Sequence, residues 1–403
     1  MLLNFPIKNF EMLSKIISEK NTIKNISFIF LIICVTNIFY HPSQAREISG
    51  TKGSKIFGEI ISTFNQPWAI SFINSNTMLI TTKGGILWLV DSSGFKKSIA
   101  NIPKVSVGGQ GGLGDVIIHP DFASNNLIYL SYVSSDDFGI SKFAKVIRAK
   151  LEITDEPYLT DVTDIWLQTP AAIGNGHFSY RMVFGPSGSD YELDLFISSG
   201  DRQKMTPAQN WNSDLGKIIR LKEDGAIPKD NPFQDNGDNA KSFWTMGHRN
   251  ALGLAFDSND QLWSTEMGPK DGDELNLIQK GKNYGWPIVS EGSHYSGIPI
   301  PPHETRPEFQ APMVFWNPTI APSGLDFYEG DEFPSWQGNA LIGGLRSRAL
   351  IRVTFDENGP KEKERFHWSK RVRDVEVCKK GFIWVIEDGN DAKLIKFTNS
   401  SKN

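Results

Sequence analysis

The stretch GHRNALGLAFDSNDQLWSTEMGPKDGDELNLI, Gly247–Ile278, holds the unit from which the rest of the chain is read. It contains an apolar segment (Gly253–Phe256), a polar turn, a second apolar segment (Gln261–Thr265), another turn, and a third segment, Glu274–Ile278, with mixed polarity. Short apolar runs bounded by turn residues read as strands, and alternation reads as a half-exposed one. The first segment recurs at Trp68–Ile73, Asp115–His119, Arg181–Phe184, Gly324–Phe327 and Asp374–Val377. Its partner recurs at Met78–Thr82, Leu127–Tyr132, Leu193–Ser198, Ala340–Gly344 and Phe382–Glu387. Third segments follow at Ile86–Val90, Ala144–Leu151, Lys217–Leu221, Ala349–Phe355 and Lys393–Thr398. A spacing of roughly 46 to 72 residues suits four-stranded blades with loops of variable length, and predicts an all-β, six-bladed β-propeller over residues 46–403. A solenoid or a sandwich is the alternative. The intervals 133–180 and 285–323 carry Pro, Gly and Asp clusters and are expected to be loop insertions.

Composition agrees with a folded, repeat-built chain. Of 403 residues, 39% are hydrophobic and 11% aromatic, too rich for disorder. A net charge of −4 and a pI near 6.0 leave no basic footprint, so no nucleic-acid partner is expected. Residues 1–45 read as a cleavable signal peptide. Lys8, Lys15, Lys20 and Lys24 precede the apolar run Ile26–Tyr40, and Ser43-Gln44-Ala45 supplies small residues for cleavage after Ala45. The run is short of the roughly 20 residues that a spanning helix needs, so no stable membrane span is expected after cleavage. A membrane anchor is the alternative. Cys34 falls within this signal, which leaves Cys378 alone and favours a periplasmic or secreted protein without disulfides.

Antiparallel pairing puts the start of one strand beside the end of the next, so polar residues at those two places converge on one mouth of the channel. Gln110, His177, Arg249, Asn250, Thr319, Arg371 and Arg373 precede first strands. Asp201, Glu266–Pro269, Arg346, Glu387 and Asp388 follow second strands. One histidine among several arginines is an anion site with a candidate base.

Four blocks, Gly108–Phe122 (GGQGGLGDVIIHPDF), Gly247–Phe256 (GHRNALGLAF), Glu266–Pro287 (EMGPKDGDELNLIQKGKNYGWP) and Arg371–Val375 (RVRDV), resemble the soluble pyrroloquinoline quinone (PQQ)-dependent aldose or glucose dehydrogenases. The likeness runs in order through nearly the whole chain after residue 46. It implies oxidation of the C1 hydroxyl of an aldose, or a related small alcohol, to the lactone. PQQ and Ca²⁺ are the implied cofactors, and the electrons pass to an external acceptor such as a quinone, a cytochrome or a dye. On that resemblance His177 is the base, Asp201 orients it, and Arg249 and Asn250 contact the quinone oxygens. Gln110, Thr319, Arg371 and Arg373 match further cofactor contacts. The carbonyls of Gly268 and Pro269 match the cation ligands, as a hard cation requires, and Trp316 is expected over the cofactor plane.

The chain departs from the pattern at several places. Arg346 stands where Lys is usual, and Met267 where His or Gln lies near the cofactor. Gly176 replaces Asn or Asp beside the base, and Tyr180 a small residue after it. Two alternatives remain open: a non-catalytic propeller serving as a binding module, and a calcium-dependent, lactonase-type hydrolase. The hydrolase would need carboxylates and amides around its metal, whereas the convergent groups here are mostly cationic.

Overall fold

In this computed structural model residues 46–136 and 138–400 are described, and the expected signal segment lies outside them. Six antiparallel sheets follow one another around a ring. Their innermost strands are Pro67–Asn74, Leu113–Ile118, Ser179–Phe184, Ala251–Phe256, Pro322–Phe327 and Val372–Val377, each holding one of the first segments read from the sequence. Blades are numbered 1 to 6 in that order. The last blade takes its outer strand from the other end of the chain: Lys55–Phe64 pairs antiparallel with Ala392–Thr398, and Arg46–Ser49 adds a fifth strand outside it. This pairing closes the ring by completing the last blade with strands from both ends of the described residues.

The apolar positions of successive strands interlock between blades; one such cluster joins Trp68, Leu113, Tyr129, Tyr180 and Leu195 across blades 1 to 3. Trp244, Trp263 and Trp384 are buried as core, whereas Trp211 is half-buried against Phe233. The channel is narrow. A side-chain carbon on Gly114 would meet Tyr180 at 2.0 Å, and one on Gly324 would meet Asp374 at 1.8 Å. Across it runs a buried ion-pair hub: Arg181 of blade 3 reaches Asp115 of blade 2 at 3.0 Å and Asp374 of blade 6 at 3.1 Å. Its guanidinium carbon lies 4.3 Å from the centre of the Trp68 ring of blade 1.

Every inner strand slips register against its neighbour near its own start, as between Ser179 and Met182 or between Ala251 and Gly253. Such bulges turn side chains away from the regular pleat. Here they lie at the mouth where the polar residues converge.

Interval 133–180 departs from the loop expected of it. It holds all of the long strand Ser141–Glu152, which contains the expected third segment Ala144–Leu151, and all of the unexpected Tyr158–Leu167, the two outer strands of blade 2. Tyr158–Leu167 is largely exposed, so its polar sequence hides a strand that lies at a sheet edge. Interval 285–323 is mostly loop, with one short strand, Val314–Trp316, completing blade 4. Among the described residues, no helix is long and apolar enough to cross a membrane.

Candidate active site

His177 enters the mouth on the segment leading into blade 3, where it takes a φ of +47°, followed by Ser179 at +60° and Tyr180 at +52°. Non-glycine residues adopt this region only where surrounding contacts hold them. The contacts are present. The His177 N–H donates to Oε1 of Gln110 at 2.7 Å, and the Tyr180 hydroxyl donates to the Gln110 carbonyl at 3.0 Å. Tyr180, one of the departures, thus fixes the residue that fixes the base. Gly176, another, leaves room for Gln203, whose side-chain amide would lie 2.5 Å from a carbon added there.

His177 is 6% exposed. Its Nδ1 lies 2.7 Å from Oδ1 of Asp201, which also accepts the Gln203 N–H at 2.8 Å. Oδ2 of Asp201 accepts the indole N–H of Trp286 at 2.8 Å. Trp286 is therefore part of the site. Burial lowers the His177 pKa, and the nearby Arg249 charge lowers it further, outweighing the Asp201 hydrogen bond that raises it. Burial alone would raise Asp201, but bonding to His177 and Trp286, together with the charge of Arg249, holds its carboxyl below the ordinary range. The resulting state is a carboxylate accepting from Nδ1–H of a neutral ring, which leaves the Nε2 lone pair to take a proton.

Arg249 opens blade 4. Its backbone N–H donates to Oε1 of Glu266, whose other oxygen lies 2.9 Å from Nδ1 of His248. His248 is in turn 2.8 Å from the Thr245 hydroxyl and stacks on Tyr284 at 4.6 Å. This buried pair sets the start of the strand. The Arg249 side chain gives Nη1 to the Met267 carbonyl at 2.8 Å, while its Nε is buried with no partner among the described residues. An unbonded buried donor is costly unless something supplies an acceptor. Asn250 lies 3.7 Å from the Met267 sulfur and 3.2 Å from the Ser179 hydroxyl.

Two voids flank these residues. One, about 460 Å³, is lined by Gln66, Lys83, Gln110, Met267, Arg371 and Arg373 among others. The other, about 170 Å³, is lined by His177, Asp201, Arg249, Pro269, Trp286 and Tyr295 among others. In the larger void Arg371 and Arg373 both bond Asp388, at 2.7 and 2.6 Å. Burial raises the Asp388 carboxyl, but the two arginines outweigh it and keep it ionised. Lys83 hangs from the Gly109 carbonyl at 2.6 Å, its pKa lowered first by burial and then by Arg373.

Residues Gln110, His177, Asp201, Arg249, Met267, Pro269, Arg371 and Arg373 are thus brought to these two voids. Asn250 and Gly268 sit directly beside them, on Ser179 and Met267 and next to Pro269, whereas Trp316, Arg346 and Thr319 stand apart. The Trp316 indole is buried in the interface of blades 4 and 5 and bonds Glu362 at 2.7 Å, because it ends an outer strand and not an inner one. It lines neither void, contrary to its expected place over the cofactor. Arg346 is exposed and lines neither void; only its neighbour Leu345 does. Thr319 turns its hydroxyl onto Asp273, a carboxylate that also accepts the Gly268, Ile320 and Ala321 N–H groups at 3.0, 2.8 and 2.7 Å.

Among the described residues no three His, Cys, Asp or Glu side chains gather as a metal group. A cation would have to rest on carbonyls, and those of Gly268 and Pro269 accept no hydrogen bond among the described residues. Lys83, Gln66 and Trp286 are the site residues that sequence reading missed. Lys83 follows the second strand of blade 1 directly, so the rule that found Asp201 reaches it too.

Residues 64–396 match the family model described as Glucose / Sorbosone dehydrogenase. The aldose sugar dehydrogenase YliI of Escherichia coli is 36% identical over 342 residues, covering 82% of this chain and 90% of that protein. Quinoprotein glucose dehydrogenase B of Acinetobacter calcoaceticus is 28% identical over 464 residues, covering 90% and 94%. The solved apo-form of the soluble E. coli aldose sugar dehydrogenase superposes with a TM-score of 0.79 at 33% identity, covering 86% of this chain and all of that one.

Proposed function

Because the chain belongs to the glucose/sorbosone dehydrogenase family, we propose that it oxidises the C1 hydroxyl of an aldose to the lactone, with PQQ and Ca²⁺ as cofactors. The observation that carries this reading is the His177–Asp201 pair at 2.7 Å, buried with Arg249 in the lining of the smaller void. A flat tricarboxylate fits the larger void on charge: Lys83, Arg371 and Arg373 face it, with Asp388 the carboxylate among its lining residues. The unbonded Arg249 Nε and the free carbonyls of Gly268 and Pro269 suit a quinone oxygen and a hard cation. When bound, PQQ supplies the two-electron oxidant that accepts the C1 hydride.

The chain's own residues do the rest. Asp201 keeps the proton on Nδ1, so His177 receives the hydroxyl proton at Nε2 as the C1–H bond breaks and the carbonyl of the lactone forms. Arg249 keeps its charge beside the place where negative charge develops. Electrons then leave to an external quinone, cytochrome or dye. With residues 1–45 read as a cleavable signal peptide, the proposed site of this chemistry is the periplasm or the outside of the cell.

Purified protein reconstituted with PQQ and Ca²⁺ is expected to reduce a dye in the presence of aldoses, only when both cofactors are supplied. Replacing His177 by Ala should cut turnover by about 10²- to 10⁴-fold while PQQ binding, read by equilibrium dialysis, is retained. Full activity in that variant would sink the mechanism. Wild-type protein that neither binds PQQ nor turns over would favour the binding-module reading.

A further inference from the structure

Arg202 follows directly on Asp201, and it is 1% exposed. Its guanidinium forms no ion pair among the described residues and bonds four backbone carbonyls instead. Nε donates to the carbonyl of Gly176 at 3.0 Å, Nη1 to that of Lys142 at 2.6 Å, and Nη2 to those of Gly174 at 2.7 Å and Ala172 at 3.4 Å. The Arg202 backbone N–H donates to the His177 carbonyl at 3.2 Å, and the guanidinium carbon lies 3.7 Å from the centre of the Phe178 ring. One residue therefore holds the positions before, at and after the candidate base.

The segment it holds cannot fix itself. Ala172-Ile173 pairs with the blade 2 strand at Ser141-Lys142, and beyond it Gly174, at φ +118°, and Gly176 have no side chains to pack. His177 then sits at φ +47°, a conformation that persists only when its surroundings over-determine it. Gln110 supplies part of that hold, since its N–H donates to the Asn175 carbonyl at 2.8 Å while its side chain accepts from the His177 N–H. Arg202 supplies more. A planar fork with donors in fixed directions can serve several carbonyls at once, which a lysine ammonium cannot.

Burial pulls the Arg202 pKa down to about 10, against the charge of Asp201, so the group stays charged at neutral pH. A buried charge spread over a glycine-bearing loop, where an apolar side chain would fill the space at less cost, points to placement of that loop more than to stability. We propose that Arg202 is a positioning residue for the sugar oxidation: by holding the carbonyls of Ala172, Gly174 and Gly176 and the Phe178 ring, it fixes the His177 backbone so that the imidazole meets Asp201 and presents Nε2 to the substrate. Asp201 sets the ring of the base, and its neighbour in the chain sets the backbone. This rests on the reading of His177 as the base.

Arg202→Gln and Arg202→Lys test it on the purified protein with two readouts. One is the proton resonance of His177 Nδ1–H, recorded without cofactor and assigned by its loss in His177→Ala. The other is steady-state kinetics with glucose and a dye after reconstitution with PQQ and Ca²⁺. Wild type is expected to show the resonance, protected from exchange by the bond to Asp201. In both variants it should broaden or vanish, and kcat should fall about 10- to 100-fold while KM and the PQQ dissociation constant from equilibrium dialysis stay within about twofold. Lysine keeps the charge but not the fork, so it should not restore kcat. Where Arg202→Gln does not fold, Arg202→Lys carries the test. Wild-type kcat in Arg202→Lys assigns the effect to charge and overturns the proposal. A variant that loses stability in denaturant but keeps both resonance and kcat, or an Arg202→Lys protein that does not fold, makes Arg202 part of the fold alone and overturns it too. Wild-type protein that shows the resonance but oxidises no aldose overturns sugar oxidation instead, and the hold on His177 is then decided by the resonance in the two variants.

Discussion

Two buried arginines at the inner ends of neighbouring blades show how this propeller divides structure from chemistry. Arg181 and Arg249 are 7% and 6% exposed. Arg181 is fully engaged: Nε donates to the Leu252 carbonyl at 3.1 Å, and the terminal nitrogens reach Asp115 and Asp374. Arg249 leaves its Nε unbonded and spends one terminal nitrogen on a carbonyl. Both charges are desolvated, but only the first forms salt bridges among the described residues, whereas Arg249 acts on Asp201 without direct contact. The satisfied arginine closes the channel, and the unsatisfied one is poised for a ligand. Position alone does not separate the two roles; the accounting of hydrogen bonds does.

Breaking the satisfied hub should have the largest effect. Arg181→Met strands two buried carboxylates, and denaturant unfolding should report a loss of about 3–5 kcal/mol. A loss below about 1 kcal/mol would mean that the hub is not what holds blades 2, 3 and 6 together.

Arg249→Gln should act on chemistry instead. Its stability should stay within about 1 kcal/mol of wild type, while dye-linked turnover falls about 10²-fold. A variant that unfolds as readily as Arg181→Met erases the distinction.

The same variant sharpens the electrostatics. Because burial and Arg249 lower the His177 pKa, the neutral base persists as pH falls below the ordinary histidine value of 6.5 and is lost only on passing the lower folded pKa. The acid limb of the wild-type rate profile should therefore lie below 6.5, and in Arg249→Gln it should move up toward it. A limb that stays put would show that Arg249 does not act on the base. The smallest effect belongs to the rim: Arg371, half-exposed on Asp388, should cost under about 1 kcal/mol of stability when changed to Gln, read by the same unfolding curves.

The ring was legible because each blade repeats a local pattern, apolar first strand, turn, apolar second strand, that depends on neighbours in sequence. The 133–180 interval was not, since an exposed edge strand such as Tyr158–Leu167 has no buried face to imprint a period on its residues. The site was legible where a motif fell at a strand end, as for His177, Asp201 and Arg249. Trp316 misled because a tryptophan near a mouth and one on an outer strand look alike until pairing is known; its register with Asp273 sends the indole into the blade interface.

Sequence by itself determined the number of blades, the order of the strands and the residue types gathered at one mouth, because periodicity and turn chemistry are local. Tertiary structure decided which of those residues meet. The register slips and the positive-φ segment at His177 come from contacts between distant segments. Such contacts set whether a buried charge is paired within the fold or left facing a void.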